Sequence, residues 1–511
     1  MLPDVSQDSH SLTIGPDVHL TCEALESAAH ASHTNLSLSQ AATDRLHDAR
    51  DALHAVLERG DPVYGVSTGF GPLVEYASGG EGDASHGSGL LSHLSTGSGP
   101  LAPRPVARAT CIARVQSLAQ GCSAIRPAAL ERFADLVAHD LTPAIPEIGS
   151  VGASGDLTPL AHAARVVTGT GRVLRLDGTV ISAADALRSA GLSPMPLDGR
   201  DALAIVNGTS FMTAYASVAL ARAQRLLAHA ERLTGWMYRL LGSPLQALDP
   251  RLHHARGHAG QQTSAEAIHA EATRDPGPRP TDRPLQEPYS IRCAPQILGA
   301  CREQIQHARQ TIETELNGVN DNPVLIAGST PVALHGGNFQ GQQVAFASDV
   351  LNAAITQIGV LVERQIDLLL SPHQNGGAPP LLAWTPGKNS GLAGAQITAT
   401  ALVAELRHNA QMSATSSIPT NLDNQDVVSM GTLAGRTAFQ QTHRLAPILA
   451  VVSIALSQLT HLRDAGRTEK PAPASPPWMP TVDPVIEDRP LRRDIERLAE
   501  HWLSTSIEHP S

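Results

Sequence analysis

The sequence predicts a mainly α-helical protein built around a long central helix bundle, and three observations carry that expectation. Aromatic residues are only 3% of the 511, whereas Ala, Leu, Gln and His are common, a composition that suits helices better than sheets. Apolar residues make up 42% and charged residues 17%, enough for a sizeable core and against global disorder. From about residue 211 onward, apolar and small residues recur at alternating three- and four-residue spacing over stretches too long for strands.

Residues 1–210 mix modest helices with glycine-rich loops at 65–71 (GVSTGFG), 77–89 (ASGGEGDASHGSG) and 149–156 (GSVGASGD), and are read as an N-terminal domain. Residues 211–467 are read as the bundle. A helix over about 295–316 would put Leu298, Cys301, Ile305, Ala308 and Ile312 on one face. A second, over about 340–370, sets Val344, Leu351 and Ile358 on one seam with Ala347, Ala354 and Leu361; at 1.5 Å per residue it would be about 45 Å long. Two more are expected over about 391–411 and 428–465. A third segment, 468–511, opens with a proline-rich connector at 470–484 that has no helical option. It ends in an amphipathic helix from Pro490 with Leu491, Ile495, Leu498 and Trp502 on one face. Long helices with small seam residues meet other subunits as well as their own chain, so an oligomer is expected.

Acidic residues outnumber basic ones, 48 to 37, for a net charge of −11, and no basic run is dense enough to track a phosphate backbone; nucleic acid is not an expected partner. Cys22, Cys111, Cys122, Cys293 and Cys301 form no CxxC pair. They read as buried thiols of a reducing compartment, not as a disulfide frame or zinc site, so no metal is expected. The N-terminus lacks the basic and apolar regions of a signal peptide. The longest apolar stretch, about 445–456, holds Pro447 and Ser453 and falls short of the roughly 20 residues that span a bilayer. A cytoplasmic protein without a membrane partner is expected.

The segment most informative about chemistry is IGSVGASGDLTPLAH at 148–162. Its glycines, at 149, 152 and 155, leave the backbone able to adopt conformations other residues avoid. One reading is a flexible loop before a helix, with Asp156 at the helix N-terminus; the phosphate-loop patterns GxxxxGK[ST] and GxGxxG do not fit. The other is chemical. In a tight bend the Gly155 nitrogen can approach the Ala153 carbonyl carbon. Cyclisation with loss of two waters, one from the Ser154 side chain, would give a methylidene-imidazolone (MIO) ring with an exposed electrophilic carbon. Spacing leaves both readings open.

The same segment resembles the prosthetic-group signature of the aromatic amino acid ammonia-lyase and aminomutase family, which includes histidine, phenylalanine and tyrosine ammonia-lyases. VYGVSTGFGPL (63–73), LAIVNGTS (203–210), QEPYSIRCAPQ (286–296), ELNGVNDNP (315–323), HGGNF (335–339) and NQDVVSMG (424–431) resemble further family segments in the same order. Ser67 departs from the Asn that many members carry in that first loop. The resemblance implies a fumarase/aspartase-like all-α fold and a homotetramer with shared active sites. It also implies an electrophile made from Ala153, Ser154 and Gly155 that takes up the substrate amine, with no diffusible cofactor. It places Tyr64 as the base that removes the β-proton, and a phenol of ordinary pKa about 10 needs its anion stabilised for that work. It assigns Arg292 to the substrate carboxylate, which a guanidinium grips with paired hydrogen bonds. Gln286, Tyr289, Asn207 and Asn322 would bond the ring, amine and carboxylate, and Phe339 would line the apolar end.

Two positions bear on the substrate. Tyrosine-using members resemble the His93–Leu94 pair, phenylalanine-using members carry Phe-Leu, and histidine-using members Ser-His, a pair that Ser92–His93 would mimic if shifted by one residue. A buried imidazole can hydrogen-bond a phenol, which an apolar pocket cannot reward. Histidine-specific members resemble NQED, whereas this chain has Asn424, Gln425 and Asp426, so a neutral amide stands where they place a carboxylate. The resemblance thus implies elimination of ammonia from L-tyrosine to 4-coumarate. A tyrosine 2,3-aminomutase is the alternative, then a phenylalanine or histidine ammonia-lyase. A non-catalytic scaffold would be expected to have lost Ser154, Tyr64 or Arg292, and all three are present.

Overall fold

The computed structural model describes residues 9–77, 80, 82–274, 283–468 and 473–505. Helices dominate, as the composition implies, and the expected long ones are present: Ala294–Leu316, Gln342–Leu370, Ala393–His408 and Gly431–Asp464. Every residue of the two predicted seams, from Leu298 to Ile312 and from Val344 to Leu361, is buried. The seams were legible because a three/four spacing keeps one stripe of a helix facing its neighbours. The helix Gly431–Asp464 runs straight through Pro447, so the apolar stretch read as short belongs to a 34-residue element. It and Gln342–Leu370 are long and apolar enough to cross a membrane, but 89% and 72% of their most apolar stretches are buried inside the protein. They are core helices.

Two local expectations are corrected. The glycine-rich stretch 77–89 is a loop only in part: a helix, Ala84–Leu94, begins inside it because the Asp83 carboxylate accepts hydrogen bonds from Ser85 N (2.8 Å) and His86 N (3.4 Å), a capping arrangement that offsets the glycines. The last helix starts at Arg492, after Pro490 and Leu491. Of the connector expected at 470–484, residues 473–484 contain no helix; residues 470–472 lie outside the described residues.

The chain divides into two compact units. The first comprises 1–218, 309–349 and 412–436 and, among the described residues, holds four two-stranded sheets, one parallel (Ser9–Ile14 with His33–Leu38) and three antiparallel. The strand Pro146–Ile148, paired with Ser98–Leu101, delivers the chain into the 149–156 turn. A core of Ala49, Leu53, Val56, Val63, Val66, Ala124 and Leu325 anchors both sides of Tyr64. The second unit comprises 219–308, 350–411 and 437–511. In it the helices Gln342–Leu370 and Ala393–His408 approach so closely at Gly359 that a β-carbon there would lie 2.4 Å from Leu406 Cδ1. Trp236, Trp478 and Trp502 form an edge-to-face cluster with centroids 6.3 Å apart, extended by His229 against Trp502 (4.4 Å).

All five cysteines are free. Cys22, Cys111 and Cys301 are buried as expected, whereas Cys122 and Cys293 are half-buried.

Candidate active site

The site is built on the turn at residues 152–156. Ser154 takes a left-handed backbone conformation (φ +62°), as do Gly152 (+75°) and Gly155 (+74°), a state that costs a residue with a side chain roughly 1–2 kcal/mol. Hydrogen bonds on both sides hold it. Asp156 N donates to Gly208 O (2.8 Å) and Met430 N to Val151 O (2.9 Å). The Ser150 hydroxyl accepts from Gly152 N (3.1 Å) and donates to Asp156 Oδ1 (2.8 Å). A β-carbon on Gly155 would lie 2.2 Å from Gly208 O, so only glycine fits that approach. The segment is a pinned turn, not a slack loop.

Asp156 stands at the N-terminus of the helix Leu157–Val167, as one of the two readings of this segment has it, but its side chain makes no capping bond there. Its carboxylate instead turns to the helix Ser210–Leu241, accepting from Met212 N (2.8 Å), and takes hydroxyl bonds from Ser150 and Thr432. The buried anion therefore sits at the positive end of a different helix. Burial raises its pKa and these donors pull it back.

Two predicted residues meet Ser154 directly. Asn207, at the C-terminal end of the helix Gly199–Val206, donates from Nδ2 to Ser154 O (3.0 Å), and its Oδ1 is buried with no partner among the described residues. Gln425 donates from Nε2 to Ser154 Oγ (2.9 Å), and its Oε1 accepts from Asn421 Nδ2 (2.7 Å). Its backbone exchanges hydrogen bonds with Thr420 (3.1 and 3.3 Å) across three consecutive left-handed residues, Asn421, Leu422 and Asp423. Asn424 faces outward and is exposed. A left-handed Ser154–Gly155 bend, a glycine with a bare nitrogen and an open acceptor on Asn207 fit a ring formed from residues 153–155.

Tyr64 is half-buried. Its phenol oxygen accepts from Gly71 N (2.7 Å), its ring lies edge-on to Phe70, and its backbone N donates to His335 Nε2 (3.1 Å). Burial raises the phenol pKa and the Gly71 N–H acts against it. Asn322 Oδ1 accepts from Gly336 N (2.8 Å), joining the NDNP and HGGNF segments, and Phe339 is half-buried beyond them. His93 is exposed near the end of its helix with Nδ1 on Gly89 O (3.2 Å), and Leu94 is half-buried.

Gln286, Tyr289 and Arg292 form a second group, in the second unit. Gln286 is exposed, and Tyr289 is 68% exposed at the start of the short helix Tyr289–Arg292. The Arg292 guanidinium lies 4.6 Å over the Tyr289 ring and its Nε donates to Glu287 O (2.8 Å). Glu287 is itself buried and bonded by Ser243 Oγ and Arg283 Nε (both 2.7 Å).

Sequence reasoning missed three participants: Arg114, Arg200 and Asn421. Arg200 makes a buried ion pair with Asp321, in the NDNP segment, and donates to Ser123 O (2.6 Å). Arg114 shares the helix Arg104–Leu118 with Arg104 and Arg108, and Arg200 stands beside Asp201 at the start of Gly199–Val206, so neither had a local signal that set it apart.

A family profile described as aromatic amino acid lyase matches residues 20–478. The chain is 39% identical to the tyrosine ammonia-lyase of Cereibacter sphaeroides, covering 96% of this chain and 97% of that protein. It is 37% identical to the histidine ammonia-lyase of Symbiobacterium thermophilum, covering 94% and 95%. Among solved structures it resembles the tyrosine aminomutase from Streptomyces globisporus with a TM-score of 0.86 at 34% identity, over 96% of this chain and 97% of that one.

Proposed function

The chain belongs to the aromatic amino acid lyase family and is a carbon–nitrogen lyase; from that premise we propose that it eliminates ammonia from L-tyrosine to give 4-coumarate. The observation that carries the substrate choice is Gln425, which sets a neutral amide 2.9 Å from Ser154 Oγ where a histidine-specific site calls for a carboxylate. The likeness to a tyrosine ammonia-lyase supports the same choice.

Elimination breaks the Cα–N bond and a Cβ–H bond and forms a double bond between the two carbons. An MIO ring from Ala153, Ser154 and Gly155 supplies an electrophilic carbon that makes the amine a better leaving group. Asn207 orients the ring through the Ser154 carbonyl oxygen, which cyclisation keeps; the Ser154 hydroxyl that Gln425 bonds leaves as water, and the freed Gln425 amide then faces the substrate. The Tyr64 phenolate takes the β-proton, with the Gly71 N–H stabilising the charged oxygen. Arg292 holds the carboxylate, with Gln286, Tyr289 and Asn322 bonding the polar end of the substrate. His93 and Leu94 meet the phenol end and Phe339 lines the apolar wall; His93 and Asn424 are exposed on the single chain, so their part in the site, like that of Gln286 and Tyr289, calls for cover by another subunit. The exposure of Gln286 and Tyr289 on the single chain supports a homotetramer in which another subunit covers them and the active sites are shared. Five free thiols support a cytoplasmic location.

A second reading, tyrosine 2,3-aminomutase, has the likeness to the S. globisporus enzyme in its favour. Offering tyrosine, phenylalanine and histidine side by side separates these readings: 4-coumarate from tyrosine is expected, accumulating β-tyrosine would give the aminomutase, and preference for histidine would overturn the substrate assignment.

A further inference from the structure

We propose that Arg114 is a positioning residue for this reaction: it fixes Asn207 and Gly208 against the Ser154–Gly155 turn and ties the Asn320–Asn322 segment to the same point. This rests on the reading that residues 153–155 form the ring that Asn207 faces.

Arg114 is completely buried in the helix Arg104–Leu118, whose residues from Val106 to Leu118 are all buried. Its guanidinium has three neutral acceptors. Nε donates to Ala204 O (3.0 Å), one Nη to both Ala204 O and Asn207 O (2.9 Å to the latter), and the other Nη to Asn320 Oδ1 (2.6 Å). Ala204 and Asn207 end the helix Gly199–Val206, where carbonyls have no partner within the helix and the dipole is negative. A planar, fixed fork can bond two of them and a side-chain amide at once; a flexible ammonium cannot match that geometry.

The geometry passes onward. Asn207, held by its carbonyl, aims its Nδ2 at Ser154 O, and Gly208 lies so close to the guanidinium that a β-carbon would come within 2.0 Å of Nη1. Gly208 O then accepts from Asp156 N (2.8 Å) and pairs with Gly155. On the other side Ser117, from the same helix, donates to Asn320 Oδ1 and Gly318 O (both 3.0 Å). One buried cation therefore sets the partner of the turn from behind and anchors the segment that carries Asn322.

The test combines intact mass, steady-state kinetics and a double-mutant cycle. Arg114→Met is expected to lower kcat on the order of 30-fold, with KM changed less than about threefold, and to reduce the fraction of chains showing the two-water mass deficit. Arg114→Lys is expected to recover part of both. In an Asn207→Ala background the Arg114 substitutions are expected to cost several-fold less than in the wild type, because the part of their effect that runs through the Asn207 amide is already lost. If Arg114→Met is insoluble, the cycle is run with Arg114→Lys. An Arg114 loss that multiplies in full onto Asn207→Ala, an unchanged kcat and mass deficit, or failure of both variants to fold would each overturn the proposal. Absence of the deficit in the wild-type protein would instead remove the electrophile itself.

Discussion

Ser154 holds a backbone conformation that glycine adopts freely and serine does not, and it is bonded at both of its oxygens, by Asn207 and Gln425. Such strain persists only where surrounding contacts over-determine it. Ser154→Ala keeps those backbone contacts and removes the hydroxyl, so turnover and the two-water mass deficit are expected to vanish while the assembled protein survives. Full activity in that variant would remove residues 153–155 from the chemistry. Tyr64 is governed by charge. Burial lifts its phenol above the ordinary tyrosine range and one N–H, from Gly71, opposes the lift. A base that must first lose a proton makes kcat climb with pH below its pKa. A rise of about one decade per unit is expected between about pH 7 and 9, with Tyr64→Phe losing on the order of a thousandfold. A flat profile in the wild-type enzyme would take the proton-transfer role from Tyr64.

At the scale of the element, what the sequence made legible follows from periodicity. The seams of Ala294–Leu316 and Gln342–Leu370 are stripes fixed by local spacing, so they could be read without knowing their neighbours. The capping role of Asp156 could not be: its position before a helix suggested a local cap, but its acceptors serve Met212, 56 residues away, and Thr432. Arg114 and Asn320, 206 residues apart, pose the same difficulty. The motif segments marked Tyr64, Ser154, Asn207 and Gln425; the contacts that orient them lie between segments and carry no local pattern. The C-terminal helix Arg492–Ser504 lies between these extremes. Its apolar face predicted burial of Trp502, while the cluster with Trp478, Trp236 and His229 is tertiary. Trp502→Ala is expected to cost about 3–5 kcal/mol. Denaturation followed by tryptophan fluorescence checks this, since three of the chain's four tryptophans sit there, and a loss under about 1 kcal/mol would show that the helix adds little.

For the whole molecule, acid is expected to loosen the fold through His229. The residue is 2% exposed, Nε2 donates to Thr505 O (3.2 Å) and Nδ1 is buried without a partner among the described residues. Burial above all pushes its pKa down to about 3. Below the ordinary histidine value of about 6.5 the unfolded chain binds a proton that the folded chain refuses. The stability from the neutral ring is therefore present above that pH and is lost progressively as pH falls toward 3, by about 1.4 kcal/mol per unit. Denaturant midpoints at about pH 7.5 and 5 should differ less in His229→Phe than in the wild type; an equal difference would exclude His229 as the source. The thiols face a different hazard. Burial pushes Cys111 and Cys301 up to about 12 and Cys22 higher still, and sulfur attacks as the thiolate. The proposed product carries a carbon–carbon double bond next to a carboxylate, a weak acceptor for thiolates; three of the chain's own sulfurs are kept protonated and walled off from it for as long as the chain stays folded.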